Sequence, residues 1–464
     1  MRVVRHGAAL VIVAAIGSSG LGARPQPPPI ARFFEATDPD DRRAAAALAD
    51  IAAAWKHGYA AIFVDLLRLI APSADGAGSG TRVRQRLVRF LETQTTQRFG
   101  DDLNAWRRWT WTLPYDPHPH YATAKSEIAA HVDPRMREFF PDDVTSLIRL
   151  DEIDWGGVRV NGIPPLDHPR VLAGGEAAYL RDSNVVFGVV VNGEARAYPK
   201  RVLAWHELAR DRVGGREITV VYCTLCGTVI PYDSVAGGVR RVLGTSGLLY
   251  RSNKLMFDEE TNSLWSTVEG KPVVGPLVNR GLSLTPLPVV TTTWGEWRRR
   301  HPRTTVLSED TGHDRDYSEG AAYRSYFAHD DLMFGVPRPD TRLRNKDEVV
   351  AMLLTGRTGA VRPVAIAADL LRRNRVYQRQ FGEHAIVVLT SRDGANRVYE
   401  AGTVRFTRLV AEDRVRDADG GEWRVDEDVL VREVPSRRTL GRVAARRAFW
   451  FGWHAQFPET ELVK

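Results

Sequence analysis

The two cysteines of this 464-residue chain, Cys223 and Cys226, lie in one stretch, Val220-Val221-Tyr222-Cys223-Thr224-Leu225-Cys226-Gly227-Thr228-Val229-Ile230. The spacing is Cys-x-x-Cys-Gly between two β-branched runs, so a hairpin tip would aim both sulfurs the same way. Such a pair can cycle between dithiol and disulfide: the spacing lowers one thiol's pKa, and the thiolate is the nucleophile. The same pair can hold a soft metal. A closed zinc site needs four ligands, and no second cysteine pair exists. Cys223 and Cys226 with His206 would make a three-ligand zinc site with an open position. With Met256 they would suit Cu(I). His206, in Trp205-His206-Glu207, is the candidate third member in both schemes, as proton carrier beside the thiolate or as metal ligand. As a passive staple, a disulfide closing so short a loop adds only roughly 2 kcal/mol.

The elements that must position these residues are short and β-rich. Val185 to Val191, Asn192-Gly193 and Glu194 to Tyr198 form a hairpin with a favoured turn. Pro199 opens a helix predicted over Lys200 to Arg210. Ile218 to Cys223 and Thr228 to Asp233 are the strands around the tip. Thr293 caps a helix carrying Trp294 and Trp297 that ends at Pro302.

The pattern then recurs. Val349 to Pro363 lies against Val185 to Pro199 without a gap, and Ala385 to Glu400 lies against Ile218 to Asp233. Gly394 matches Gly227, Tyr399 matches Tyr232, and Trp423 matches Trp265. Trp450, Trp453, Pro458 and Thr460 match Trp294, Trp297, Pro302 and Thr304. Self-similarity in fixed order signals a duplicated unit. On this alignment Cys223, Cys226, His206 and Tyr222 become Thr390, Asp393, Leu370 and Leu389. Residues kept in both copies are scaffold; those in the first copy alone are candidates for chemistry.

Residues before about 150 read as helical. They include an Ala-rich stretch from Arg42 to Trp55 with Asp38 as cap, an apolar one from Tyr59 to Ile70, and an amphipathic one from Val83 to Phe99. Trp106, Trp109 and Trp111 read as a packed helix face. The Tyr115–His120 run, with two histidines between prolines, reads as a loop rather than a metal site. The Asp258, Glu259 and Glu260 cluster reads as a solvated turn. Glu309–Asn345, rich in Tyr, Asp and Arg (Arg315, Tyr317, Tyr323, Tyr326), reads as a connector between copies, with a lid draped over the site as the alternative.

Arg2 and Arg5, the apolar run Ala8 to Ile16 and small residues up to Ala23 have the form of a signal peptide. A nine-residue run is too short to span a bilayer, which needs ~20 residues. This implies export to the periplasm or outside, where a thiol pair can oxidise. Composition is that of a globular protein, 43% hydrophobic and 26% charged, with net charge +7. The arginines carrying that charge are dispersed, which argues against a nucleic-acid partner. No later segment is apolar enough to cross a membrane. Nucleophile-elbow, phosphate-loop, dinucleotide and His-Glu-x-x-His motifs are absent.

Several runs together resemble the domain-of-unknown-function 3179 family. They are Ile153-Asp154-Trp155-Gly156-Gly157, Gly162-Ile163-Pro164-Pro165-Leu166-Asp167, Ala197-Tyr198-Pro199, Trp205-His206-Glu207, Tyr222-Cys223 to Cys226-Gly227-Thr228, Ser246-Gly247-Leu248-Leu249-Tyr250, Ser263-Leu264-Trp265-Ser266 and Thr293-Trp294-Gly295-Glu296-Trp297. The resemblance covers roughly residues 150–464. It implies no established activity, but members named as selenoproteins would favour redox chemistry at the thiol motif. Thr224 stands where the family often has proline. A looser likeness, of fold only, is to duplicated ββαβ proteins that bind copper or mercury through thiols.

The expectation is an α+β protein. Residues 1–23 are a signal peptide and 24–150 a helical N-terminal region. A duplicated β-rich domain of ββαβ type follows: a first copy over 151–310, a connector over 311–346 and a cysteine-free second copy over 347–464. Thiol redox chemistry at Cys223, Cys226 and His206, with no cofactor and an unknown redox partner, is the leading function. A Cu or Zn protein using the same three residues, serving a metal partner, is the alternative. A non-enzymatic envelope interaction module is a further one.

Overall fold

A computed structural model describes residues 26–71 and 78–464. Residues 1–23, expected to be a signal peptide, and most of the Ser73–Gly80 loop lie outside the described residues. The chain is α+β: a helical region followed by a larger β-rich one.

Six helices build the first region: α1 (Ile30–Glu35), α2 (Asp41–Ala53), α3 (Ala60–Leu69), α4 (Ser79–Thr95), α5 (Leu103–Thr112) and α6 (Tyr121–Ala130). Asp40, not Asp38, caps α2, accepting from the backbone N–H groups of Arg42 and Arg43. Phe33, Ile62, Phe63, Leu87 and Trp106 are buried in its core, which runs on into Ile153 and Leu255 of the β-rich region. The helical region is therefore packed onto the rest rather than tethered to it. His118 is structural. One ring nitrogen lies 2.9 Å from the Pro28 carbonyl, and the other accepts from His120 N–H at 3.1 Å.

The β-rich region repeats one topology. In its first half, strands run in the spatial order 290–293, 185–191, 194–199, 305–307, then 171–173 at the edge. The first two pairings are antiparallel and the third is parallel. In its second half the order is 446–449, 348–355, 361–367, 461–463, with the same sequence of directions. Each hairpin leads into a helix, α7 (Lys200–His206) and its later counterpart, then into a three-stranded meander. Each last antiparallel strand leads into a Trp-containing helix. In chain order these further helices are α8 (Trp294–Arg300), α9 (Arg324–Ala328) in the connector, α10 (Ala368–Arg373) and α11 (Trp450–Gln456). Thr293 caps α8 through the N–H of Glu296. The indole N–H groups of Trp265 and Trp423 both donate to a buried aspartate, Asp258 and Asp417, at 3.0 and 2.8 Å. Asp258 is thus a core acceptor, not part of a solvated turn.

The structure shifts the register of the repeat. Val186 faces Pro199, whereas Val349 faces Ala367. The first hairpin closes through Asn192-Gly193, the second through the longer loop 356–360. An ungapped comparison cannot accommodate that difference. α7 ends at His206, and Leu208–Val213 is already a strand, so the helix predicted to Arg210 stops four residues early. Leu208 pairs with Val221, and Val376 pairs with Leu389. The counterparts of His206, Tyr222 and Cys223 are therefore Asn374, Thr390 and Ser391, not Leu370, Leu389 and Thr390. The thiols and the histidine still belong to the first copy alone.

Candidate functional site

Antiparallel pairing brings Cys223 opposite Thr228, leaving Thr224–Gly227 as the hairpin tip. The Cys226 N–H donates to the Cys223 carbonyl at 3.2 Å. Gly227 has φ +60°, and a Cβ there would meet the Phe449 ring at 3.0 Å. Both the turn and the close approach require glycine. Cys223 and Cys226 form a disulfide with Cα atoms 5.3 Å apart, inside the range that a disulfide spans.

The cystine is enclosed. Cys223 is 2% exposed and Cys226 0%. Leu225, Leu249, Tyr326 and Phe334 pack around it. Tyr326 and Phe334 come from the segment joining the two copies, so that segment covers the site and is more than a connector. The Tyr326 hydroxyl donates to the Leu225 carbonyl at 2.9 Å, latching the cover to the tip. The Lys346 ammonium lies 3.6 Å from the centre of the Tyr326 ring. On the other side, the Ser252 carbonyl lies 3.3 Å from Cys226 Sγ, where it can accept an S–H from the reduced thiol. Arg251 and Ser252 both have left-handed backbone, φ +47° and +64°, a sparsely populated conformation for such residues. The buried Thr224 hydroxyl has no partner among the described residues.

The second copy supplies a wall. A Cβ on Gly452 of α11 would stand 2.9 Å from Cys226 Cβ. Phe449 N–H donates to the Cys226 carbonyl at 2.8 Å, and Asn253 Nδ2 donates to the Gly452 carbonyl at 2.9 Å. The converse contact exists too. Ser391, the counterpart of Cys223, donates to Glu296 of α8 at 2.6 Å, and Thr293 Oγ1 donates to Asp393 at 3.2 Å. Each copy seats its hairpin tip on the other copy's helix.

A buried polar group adjoins the cystine. The Glu207 carbonyl accepts both the Tyr222 N–H and the Lys254 ammonium, each at 2.8 Å. The Lys254 ammonium is thus two hydrogen bonds from the residue preceding Cys223. The Glu207 carboxylate lies 3.5 Å from Lys254 Nζ and accepts from the Tyr323 hydroxyl at 3.3 Å. Burial lowers the Lys254 pKa against the pull of Glu207. Burial and then Glu207 raise those of Tyr222 and Tyr323. Sequence reasoning did not single out Lys254, Ser252 or Gly452; it named Tyr317, Tyr323 and Tyr326, but favoured a connector over a lid for their segment. Its nearest signal was Glu207, beside His206, where the second copy has Arg375.

His206 is buried, and both its ring nitrogens are engaged. Nδ1 lies 2.8 Å from the Pro164 carbonyl and Nε2 2.5 Å from the Tyr317 hydroxyl. A carbonyl only accepts, so Nδ1 carries the proton and Nε2 accepts from Tyr317. Tyr317 Oη in turn lies 2.6 Å from Thr311 Oγ1. Burial depresses the His206 pKa to about 4, helped by His313 and Arg315 and opposed by the Pro164 hydrogen bond. His206 therefore ties the covering segment down. The structure brings Cys223 and Cys226 together but hydrogen-bonds His206 to neither sulfur. Met256 packs in a separate cluster with Leu208, Val221 and Trp265. Among the described residues, no group of three or more His, Cys, Asp and Glu side chains is arranged to hold a metal.

Fold and site together define a duplicated α+β protein with one buried cystine at the junction of its halves. The chain belongs to the family described as protein of unknown function (DUF3179), whose model matches residues 160–460. The helical region lies ahead of that match. No curated protein and no solved structure matches the chain. Among the described residues, no helix is long and apolar enough to cross a membrane.

Proposed function

We propose that the protein carries out thiol–disulfide exchange at Cys223 and Cys226 after export from the cytosol. The observation that carries this reading is the placement of the pair. A scaffold that builds the same hairpin twice puts sulfur in only one, and surrounds it with a latched cover and a buried Glu207–Lys254 group. In the exchange, a substrate thiolate attacks Cys223 Sγ, Cys223 being 2% exposed against 0% for Cys226. The Cys223–Cys226 bond breaks, a mixed disulfide forms, and Cys226 leaves as a thiolate. Cys226 takes up a proton, and its S–H points to the Ser252 carbonyl. A second substrate thiolate then resolves the mixed disulfide. The substrate loses two electrons and two protons, and the protein pair gains them. Supporting features are the Ser252 carbonyl beside Cys226 Sγ and the buried Glu207–Lys254 pair hydrogen-bonded to the residue preceding Cys223.

The test is a thiol count on anaerobically purified full chain, with bound metal measured on the same sample. Reversible titration between zero and two thiols with a dithiol reagent, abolished by Cys223→Ser, is the expected result. Stoichiometric Cu or Zn that the Cys→Ser variants release would replace this reading with the metal one. An unchanged cellular phenotype in the double Cys→Ser variant would favour an interaction module. Cell fractionation with N-terminal sequencing tests the export.

A further inference from the structure

The helical region holds a cavity of about 560 Å³, within the range typical of small-molecule sites. Its walls include Phe34, Leu66, Ile70, Ile128, Val132 and Trp155. Phe34, Ile70, Val132 and Trp155 are only partly buried at the edge of the helical core, so an apolar occupant would complete that core. Among the described residues, the ionisable groups lining the cavity are His131 and Arg159, and no carboxylate lines it. Arg159 is exposed, and its guanidinium makes no hydrogen bond or ion pair among the described residues.

Behind the apolar wall lies a narrow inner space sharing Leu69, Ile128, Val132 and Trp155 with the larger cavity. Arg68, Arg107 and Lys125 face Asp65 and Asp154 there. Arg107 and Asp154 pair at 2.6 Å, and Lys125 and Asp65 at 3.0 Å. Arg68 donates to the Trp155 carbonyl at 3.3 Å, has a 3.7 Å contact with the already paired Asp154, and lies 5.3 and 5.7 Å from the centres of the Trp155 and Phe334 rings. Cations outnumber carboxylates at the floor, and the rim is cationic. An apolar body with a negative end fits this field; a neutral or cationic lipid does not use it.

We propose that this cavity binds an anionic amphiphile, an alkyl chain seated among α1, α3 and α6 with its carboxylate at Arg159. The assignment is independent of the redox reading. Sodium dodecanoate, kept below micellar concentration, is titrated calorimetrically into the full chain. Saturable one-to-one binding is expected. Decanoate, two methylenes shorter, should bind about fifteenfold more weakly, because each buried methylene contributes about fourfold. Dodecylamine should bind at least tenfold more weakly than dodecanoate. Arg159→Gln changes an exposed side chain and should weaken dodecanoate about fivefold while leaving dodecanol unaffected. Ile128→Trp, which fills the cavity, should abolish binding. The double Cys→Ser variant should bind like the parent. No saturable dodecanoate binding, equal affinity for dodecylamine, or an unchanged affinity in Arg159→Gln would each overturn the proposal. So would sedimentation showing this face closed by a second copy that dodecanoate does not displace.

Discussion

Replacing His206 by asparagine, the residue the second copy carries at the equivalent position, should flatten the acid side of the stability profile. His206 is 0% exposed, and its pKa is depressed to about 4 from 6.5, chiefly by burial. Between those values the unfolded chain binds a proton that the folded chain refuses. Stability from neutral His206 is therefore fully present above about pH 6.5 and is lost as the pH falls toward about 4. Two and a half pKa units correspond to about 3.4 kcal/mol at most. The covering segment can yield around Tyr317, so a loss of about 2–3 kcal/mol is expected. Carboxylates elsewhere titrate alike in both proteins and cancel in the difference. Urea unfolding at pH 7, 6, 5 and 4, followed by tryptophan fluorescence, gives the two profiles. The asparagine variant should be weaker at pH 7 by about 1–2 kcal/mol through lost hydrogen bonds, and should overtake the parent by pH 4. Two parallel profiles would refute the account of His206 as a buried neutral latch.

The latch on the cystine itself can be loosened. Tyr326→Phe removes the hydroxyl donated to Leu225 and should speed reduction by dithiothreitol about fivefold, the equivalent of one hydrogen bond of about 1 kcal/mol. Tyr326→Ala should speed it further, and equal rates in all three proteins would mean the segment does not gate access. Gly452→Ala places a Cβ 2.9 Å from Cys226 Cβ and should cost about 1–3 kcal/mol by overpacking, read from urea midpoints of the oxidised protein. Glu427 accepts from Arg397 at 2.8 Å and Arg300 at 3.0 Å, with Arg442 at 3.9 Å. Burial opposes its charge, but these guanidiniums and His301 hold its carboxyl well below the usual range. Glu427→Gln should therefore destabilise by about 3–5 kcal/mol, seen as a large fall in Tm at neutral pH.

How much of this was legible in the sequence depended on how local the signal was. The Cys-x-x-Cys-Gly tip, the Asn192-Gly193 hairpin, the Thr293 cap and the repeated Trp-x-x-Trp helices are short-range patterns, and each corresponds to an element in the fold. The repeat register was not legible, because loop 356–360 is longer than its counterpart and pairing, not spacing, fixes which residues correspond. Nor were Lys254 and Glu207 readable as a pair. They are 47 positions apart, and nothing in either neighbourhood states that both are buried. The cover was only half legible: its tyrosines offered a lid as the alternative to a connector, and only the fold shows Tyr317, Tyr323, Tyr326 and Phe334 sharing its inner face. His206 was taken for a partner of the sulfurs, but its two nitrogens are spent on Pro164 and Tyr317.

The sequence comparison assigned shape to the second copy and chemistry to the first; the geometry divides them differently. Gly452, Phe449 and the Gly452 carbonyl all belong to the second copy, and all bear on Cys226 or on Asn253 beside it. Reciprocally, Glu296 of the first copy receives Ser391 at 2.6 Å and Arg397 at 3.3 Å from the second. The two junctions are topologically equivalent and chemically opposite. Where the second copy's tip meets a carboxylate and an arginine, the first copy's tip meets a bare glycine backbone. A glycine there leaves room for a sulfur, and a carboxylate there would repel a thiolate. The thiols of the first copy and the missing side chain at position 452 of the second are thus two halves of a single specialisation. Separating the copies would leave the cystine without a wall, so its enclosure is a property of the duplicated unit and not of the cysteine-bearing half.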